Sequence, residues 1–64
     1  MGKYIKLTDN KERCSYYFMK NAIIGVTWNQ MFKCTAIRLH GYDETYLVKE
    51  SQEEIVKTLE EDEQ

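Results

Sequence analysis

Phe32-Lys33-Cys34-Thr35-Ala36-Ile37-Arg38-Leu39-His40-Gly41-Tyr42-Asp43-Glu44-Thr45-Tyr46-Leu47-Val48-Lys49-Glu50-Ser51-Gln52-Glu53-Glu54-Ile55 decides the fold, because the apolar period changes within it. Residues 32–40 alternate, with Cys34, Ala36, Arg38 and His40 on one face and Thr35, Ile37 and Leu39 on the other. That is the period of a strand. Residues 41–44 read as a turn, with Gly41 free to take a positive φ. Residues 45–49 alternate again, Tyr46 and Val48 against Thr45 and Leu47. Residues 32–49 are thus a predicted hairpin.

From Ser51 onward the pattern is helical. Ser51-Gln52-Glu53-Glu54 is a capping box. The Ser51 hydroxyl accepts from the Glu54 backbone N–H, and the Glu54 carboxylate accepts from the Ser51 N–H. Acidic residues in the first turn suit the positive end of the helix dipole. The spacing predicts a helix over 52–60, with Ile55, Val56 and Leu59 as a narrow stripe packed on the sheet. Glu60-Glu61-Asp62-Glu63 puts like charge at the negative end, so residues 60–64 are expected to form a frayed acidic tail.

Upstream, residues 3–7 alternate, with Ile5 and Leu7 opposite Tyr4 and Lys6, and predict a first strand. Residues 8–12 are polar and contain Asp9-Asn10, which suits a hairpin loop. Residues 14–19 are aromatic and predict a second strand. Residues 20–22 read as a bend, and 23–28 as a third strand with Gly25 at a bulge. Asn29-Gln30 then turns into the second hairpin. The expected architecture is mostly β: a small, strongly curved antiparallel sheet of about five strands with one C-terminal helix. Residues 1–59 form a single β-rich domain in this reading, closed by the helix at 52–60.

Sixty-four residues suffice for one domain. A domain of this size buries only roughly 60% of its unfolded surface and benefits from a staple or a partner. Cys14 and Cys34 follow an opening without an apolar leader, so reduced thiols in the cytoplasm are expected. One histidine and two distant cysteines offer no metal-ligand spacing. No apolar run reaches the roughly 20 residues of a membrane span. A net charge of −2 exerts no general pull on nucleic acid or anionic lipid.

A partner chain remains, and the strands ask for one. Residues 14–19 carry bulk on both sides, Cys14, Tyr16 and Phe18 against Ser15, Tyr17 and Met19. The third strand sets Ile24, Val26 and Trp28 against Ile23 and Thr27. A small sheet with one short helix covers one face. A closed sheet with half-exposed tyrosines would accommodate this. A second copy of the chain burying the other face is the preferred reading. Tyr17, Trp28 and Met31 are the candidate interface residues, since aromatics and Met concentrate at interface centres.

Catalytic chemistry is not expected. His40 lies beside Gly41 and near Asp43, with no nucleophile placed for it. Ser51 is accounted for by the cap, and the carboxylates at 60–63 lack the glycine-turned calcium-loop pattern. No glycine-rich phosphate loop occurs, and no cofactor is implied. Bases and aromatics interleave in Lys3-Tyr4-Ile5-Lys6 and in residues 13–20, a pattern compatible with base stacking. The scattered lysines and the acidic helix argue against it.

Several segments resemble the FlbD-like family of small bacterial proteins, which are flagellar or swarming-associated or uncharacterised. They are Ile5-Lys6-Leu7-Thr8, Tyr17 leading to Ile23 and Val26, Thr35-x-Ile37-x-Leu39-x-Gly41, and Val48-Lys49-Glu50-Ser51-x-Glu53-Glu54-Ile55. The likeness implies a β-rich chain with a closing helix and no catalytic residues. The Asn-Pro-Asp frequent after the family's second strand is here Met19-Lys20-Asn21. A weaker likeness is to the CsrA translational regulators, whose basic RNA-binding edge is replaced by Lys49-Glu50-Ser51-Gln52-Glu53-Glu54. The expected function is a non-catalytic, self-associating protein-interaction module, most simply a homodimer with an unidentified protein partner. The alternatives are a CsrA-like RNA-binding regulator and an oligomer sequestering a small nucleotide-like ligand.

Overall fold

Ile5 and Leu7 drive the first strand inward. In a computed structural model, which describes residues 2–61, they are 4% and 1% exposed. Strand β1 (Tyr4–Thr8) pairs antiparallel with β2 (Ser15–Met19). A 3₁₀ turn (Lys20–Ala22) leads into β3 (Ile23–Asn29). β4 (Cys34–Leu39) and β5 (Thr45–Val48) complete an antiparallel sheet of order β3-β4-β5. Helix α1 (Gln52–Glu60) closes the described chain. The class is the expected one, mostly β with one C-terminal helix.

The five strands lie in two sheets, not one. Among the described residues the backbones of the two sheets meet at one isolated bridge, Asp9 opposite Val48, where Asn10 N donates to Leu47 O and Lys49 N to Thr8 O. Pairing goes no further because the chain leaves β5 at Glu50 for the helix. The Glu50 carboxylate instead accepts the Thr8 N–H at 3.0 and 3.1 Å.

Ile5, Leu7, Ile37, Leu39, Val48 and Ile55 form the core, with Tyr16, Phe18 and Tyr46 packed against it. Those three rings, from β2 and β5, meet at centroid distances of 5.2–5.4 Å and join the two sheets. β4 is central in its sheet, so Cys34 and Ala36 are buried as well as Thr35, Ile37 and Leu39.

Three details depart from the sequence reading. The register shift between Ile23 and Gly25 turns Ile24 outward, to 58% exposure, and sets Ile23 and Val26 together against the core. A bulge moves one residue out of phase, so Ile24 does not share a face with Val26. β4 starts at Cys34, since Phe32 N donates to Asn29 Oδ1 at 2.8 Å and Lys33 takes φ 54° in the turn. In α1 Ile55 is buried and Leu59 half-buried, but Val56 is 40% exposed. Val56 lies about 100° round the helix from Ile55, off the line that Leu59 continues.

Both capping-box bonds are present, Glu54 N to Ser51 Oγ at 3.1 Å and Ser51 N to Glu54 Oε1 at 3.0 Å. Glu60 ends the helix and Glu61 caps it, its N–H donating to Lys57 O. The rest of the expected tail, residues 62–64, lies outside the described residues.

Candidate interaction surfaces

The main-chain direction of each β1 and β2 residue follows from two bonds. Lys20 N donates to Lys3 O, and Asp9 N to Cys14 O. In an antiparallel ladder such pairs alternate with pairs that exchange no bond. Ile5–Phe18 and Leu7–Tyr16 are therefore bonded pairs, and Tyr4–Met19, Lys6–Tyr17 and Thr8–Ser15 are not. The N–H and C=O groups of Ser15, Tyr17 and Met19 point away from β1 along a free edge. Among the described residues nothing bonds to those of Ser15 and Tyr17, while the Met19 carbonyl, at the N-cap of the 3₁₀ turn, accepts the first bond of that turn. β2 carries no charged residue, no proline and no bulge, the devices that ordinarily blunt an edge strand.

The outer face of the same sheet presents Tyr4, Tyr17 and Met19, at 57, 66 and 45% exposure, around Lys6. Tyr17, one of the three expected interface residues, lies here. Trp28 and Met31 do not join it. Trp28 sits at the end of β3, and Met31 is 82% exposed in the following turn beside Phe32. Trp28 and Phe32 line a cleft of about 330 Å³, shared with Lys33, Lys49 and the strand residue Thr35. Thr35 is 1% exposed, and its hydroxyl has no hydrogen-bond partner among the described residues.

The β1–β2 loop is held by Asp9, itself 1% exposed. Arg13 grips its carboxylate with Nε to Oδ2 at 2.8 Å and Nη2 to Oδ1 at 3.0 Å. Lys11 N donates at 3.0 Å and the Tyr16 hydroxyl at 3.1 Å. The Arg13 guanidinium, with the Lys11 amide and Tyr16 hydroxyl, holds the Asp9 carboxyl well below the usual carboxylate range despite its burial. Burial, and the hydrogen bond to Asp9, push the Tyr16 phenol up to about 12. Glu12 in the same loop pairs with Lys49 at 2.7 Å, which lowers the Glu12 carboxyl and raises the Lys49 ammonium. These charges pair with one another and fix the loop.

Cys14, just before β2, is exposed and Cys34, at the start of β4, is buried; both are free. No group of three potential metal ligands occurs among the described residues. No helix of the described chain is long and apolar enough to cross a membrane. Tyr4, Met19, Phe32 and Thr35 were not singled out in the sequence for these surfaces. The alternation already set Tyr4 opposite Ile5 and Leu7, but the bulk on both sides of residues 14–19 left the side of Met19 open. The role of an edge depends on strand order, which no local pattern encodes. No family model, no curated protein and no solved structure matches the chain.

Proposed function

We propose that the protein is a non-catalytic interaction module that self-associates through the free edge of β2. The observation that carries this reading is the uncharged, unblunted edge over Ser15–Met19, bordered by exposed Tyr17 and Met19. An antiparallel pairing of two β2 strands about a two-fold axis at Tyr17 sets Ser15 against the partner's Met19 and Tyr17 against the partner's Tyr17. All three outward-pointing residues then fall in bonded pairs, and the result is a four-stranded sheet across the two copies. The strand carries no charge, so the symmetric contact brings no like charges together. Such isologous closure is the commonest oligomer geometry.

Sedimentation equilibrium at about 100 μM protomer tests it, since self-association is concentration-dependent. The expected mass is that of a dimer. Tyr17→Pro removes one outward N–H and no bond to β1, so it should return the mass to a monomer with the fold retained. A wild-type monomer at that concentration overturns the reading.

A second reading has its own observation, the partnerless Thr35 hydroxyl beside the Trp28–Phe32 cleft. Two half-exposed rings with Lys33 at the rim suit a flat anionic ligand of nucleotide type. A ligand mass in native spectra of the purified protein, lost in Thr35→Val, would promote it.

A further inference from the structure

β1 has a second edge, and the ladder phase that frees Tyr17 on one side frees Lys6 on the other. Thr8, Lys6 and Tyr4 direct their N–H and C=O groups away from β2. At Thr8 the edge is satisfied, by the Glu50 carboxylate and Lys49 N. Beyond Thr8 it is open: among the described residues nothing bonds to the main chain of Lys6 or Tyr4 on that side. The space alongside is a cleft of about 240 Å³, bounded by β1 on one side and by Glu54, Ile55 and Thr58 of α1 on the other, with Glu50 at its end. The cleft continues the line along which β5 approaches β1 before the chain turns off at Glu50–Ser51.

We infer that this cleft binds an extended segment of a partner protein, added antiparallel to β1, with a basic side chain directed at Glu54. The inference rests on the reading of the chain as an interaction module and names the chemistry of its partner. The partner's main chain would meet the groups of Lys6 and Tyr4, the mode by which peptides add to exposed sheet edges. Strand alternation then sets the side chains. Residues opposite Lys6 and Tyr4 lie on the outer face beside the Tyr4 ring, and favour apolar β-branched types. The residue opposite Ile5 points inward to α1. The wall it meets is acidic, with Glu50 and Glu54 one helical turn apart in sequence, and Glu54 forms no ion pair among the described residues. Its carboxylate uses one oxygen on the Ser51 N–H, leaving the other for an incoming cation. A lysine or arginine at that position is the complementary occupant.

The probe is the peptide acetyl-Thr-Val-Lys-Val-Thr-amide, titrated into the ¹⁵N-labelled full chain, with the glutamate-centred analogue as control. The expected result is saturable binding that shifts the Lys6 and Ile55 amides and slows exchange of the Lys6 N–H. Lys6→Pro, which removes the outward donor and leaves the β2 ladder intact, should weaken binding about tenfold, as loss of one hydrogen bond implies. Glu54→Asp keeps the charge and should retain most of the affinity, whereas Glu54→Gln should weaken it about threefold. Equal binding of the glutamate peptide, or binding untouched by both Lys6→Pro and Glu54→Gln, overturns the inference, as does no shift at millimolar peptide. Sedimentation of the same samples separates the two proposals. A chain that dimerises and ignores the peptide retains the self-association reading and loses this one. Peptide binding abolished by Tyr17→Pro would move the site to β2 and overturn it.

Discussion

Lys6 and Tyr17 face each other across β1 and β2 as a pair that exchanges no hydrogen bond, so their main-chain groups point to opposite edges of the sheet. A proline at either position therefore removes a donor from one edge without touching the ladder between the strands. Tyr17→Pro is expected to abolish self-association and leave the circular dichroism spectrum in place, while Lys6→Pro leaves the mass unchanged. Loss of folded signal in both variants would show that the two strands exchange bonds in the opposite phase.

Asp9 should set the acid limit of stability. Its carboxyl is held low in the folded chain by Arg13 and its other donors, and titrates near about 3.9 when unfolded. The contribution is fully present above that value and is lost as the pH falls through the folded pKa. Melting temperatures from pH 7 down to pH 2 should fall steeply below about pH 4 in the wild type. Asp9→Asn should be less stable at pH 7 and show a flatter acid limb.

Tyr16 should act at the opposite end. Its phenol is pushed up to about 12 by burial and by the bond to Asp9. A raised pKa gives stability that is present below the unfolded value near about 10 and lost as pH rises towards the folded one. Tyr16→Phe should remove that alkaline loss, visible as convergence of the two melting curves between about pH 10 and 12.

Removing the helix cap by Ser51→Ala should cost about 0.5–2 kcal/mol in chemical denaturation. Ile37→Ala, at a site with no exposure in the middle strand of its sheet, should cost about 2–5 kcal/mol. Val56→Ser should be close to neutral in the monomer, because that side chain lies outside the core.

Thr35→Val is expected to stabilise the chain by about 1 kcal/mol, since it replaces a buried, partnerless hydroxyl by a methyl of the same shape. A loss of stability would mean that the hydroxyl is bonded in solution.

The amino-acid order by itself determined the elements. Alternation at Ile5 and Leu7 and at Thr35, Ile37 and Leu39 marks strands, because side chains of a strand reverse face at every residue. Ser51 and Glu54 mark the start of the helix, because capping is a contact between residues three apart. Gly25 was legible as a bulge, but not the face to which it sends Ile23 and Ile24. Only the tertiary structure decided which strands stand at edges, that Tyr17 and Trp28 belong to separate surfaces, and that Thr35 is left without a partner. Those properties arise where distant segments meet: Glu50 on Thr8, Asp9 beside Val48, α1 beside β1. A hydrogen-bond edge is the absence of a neighbour, and which neighbour is absent depends on the order in which the whole chain assembles its strands.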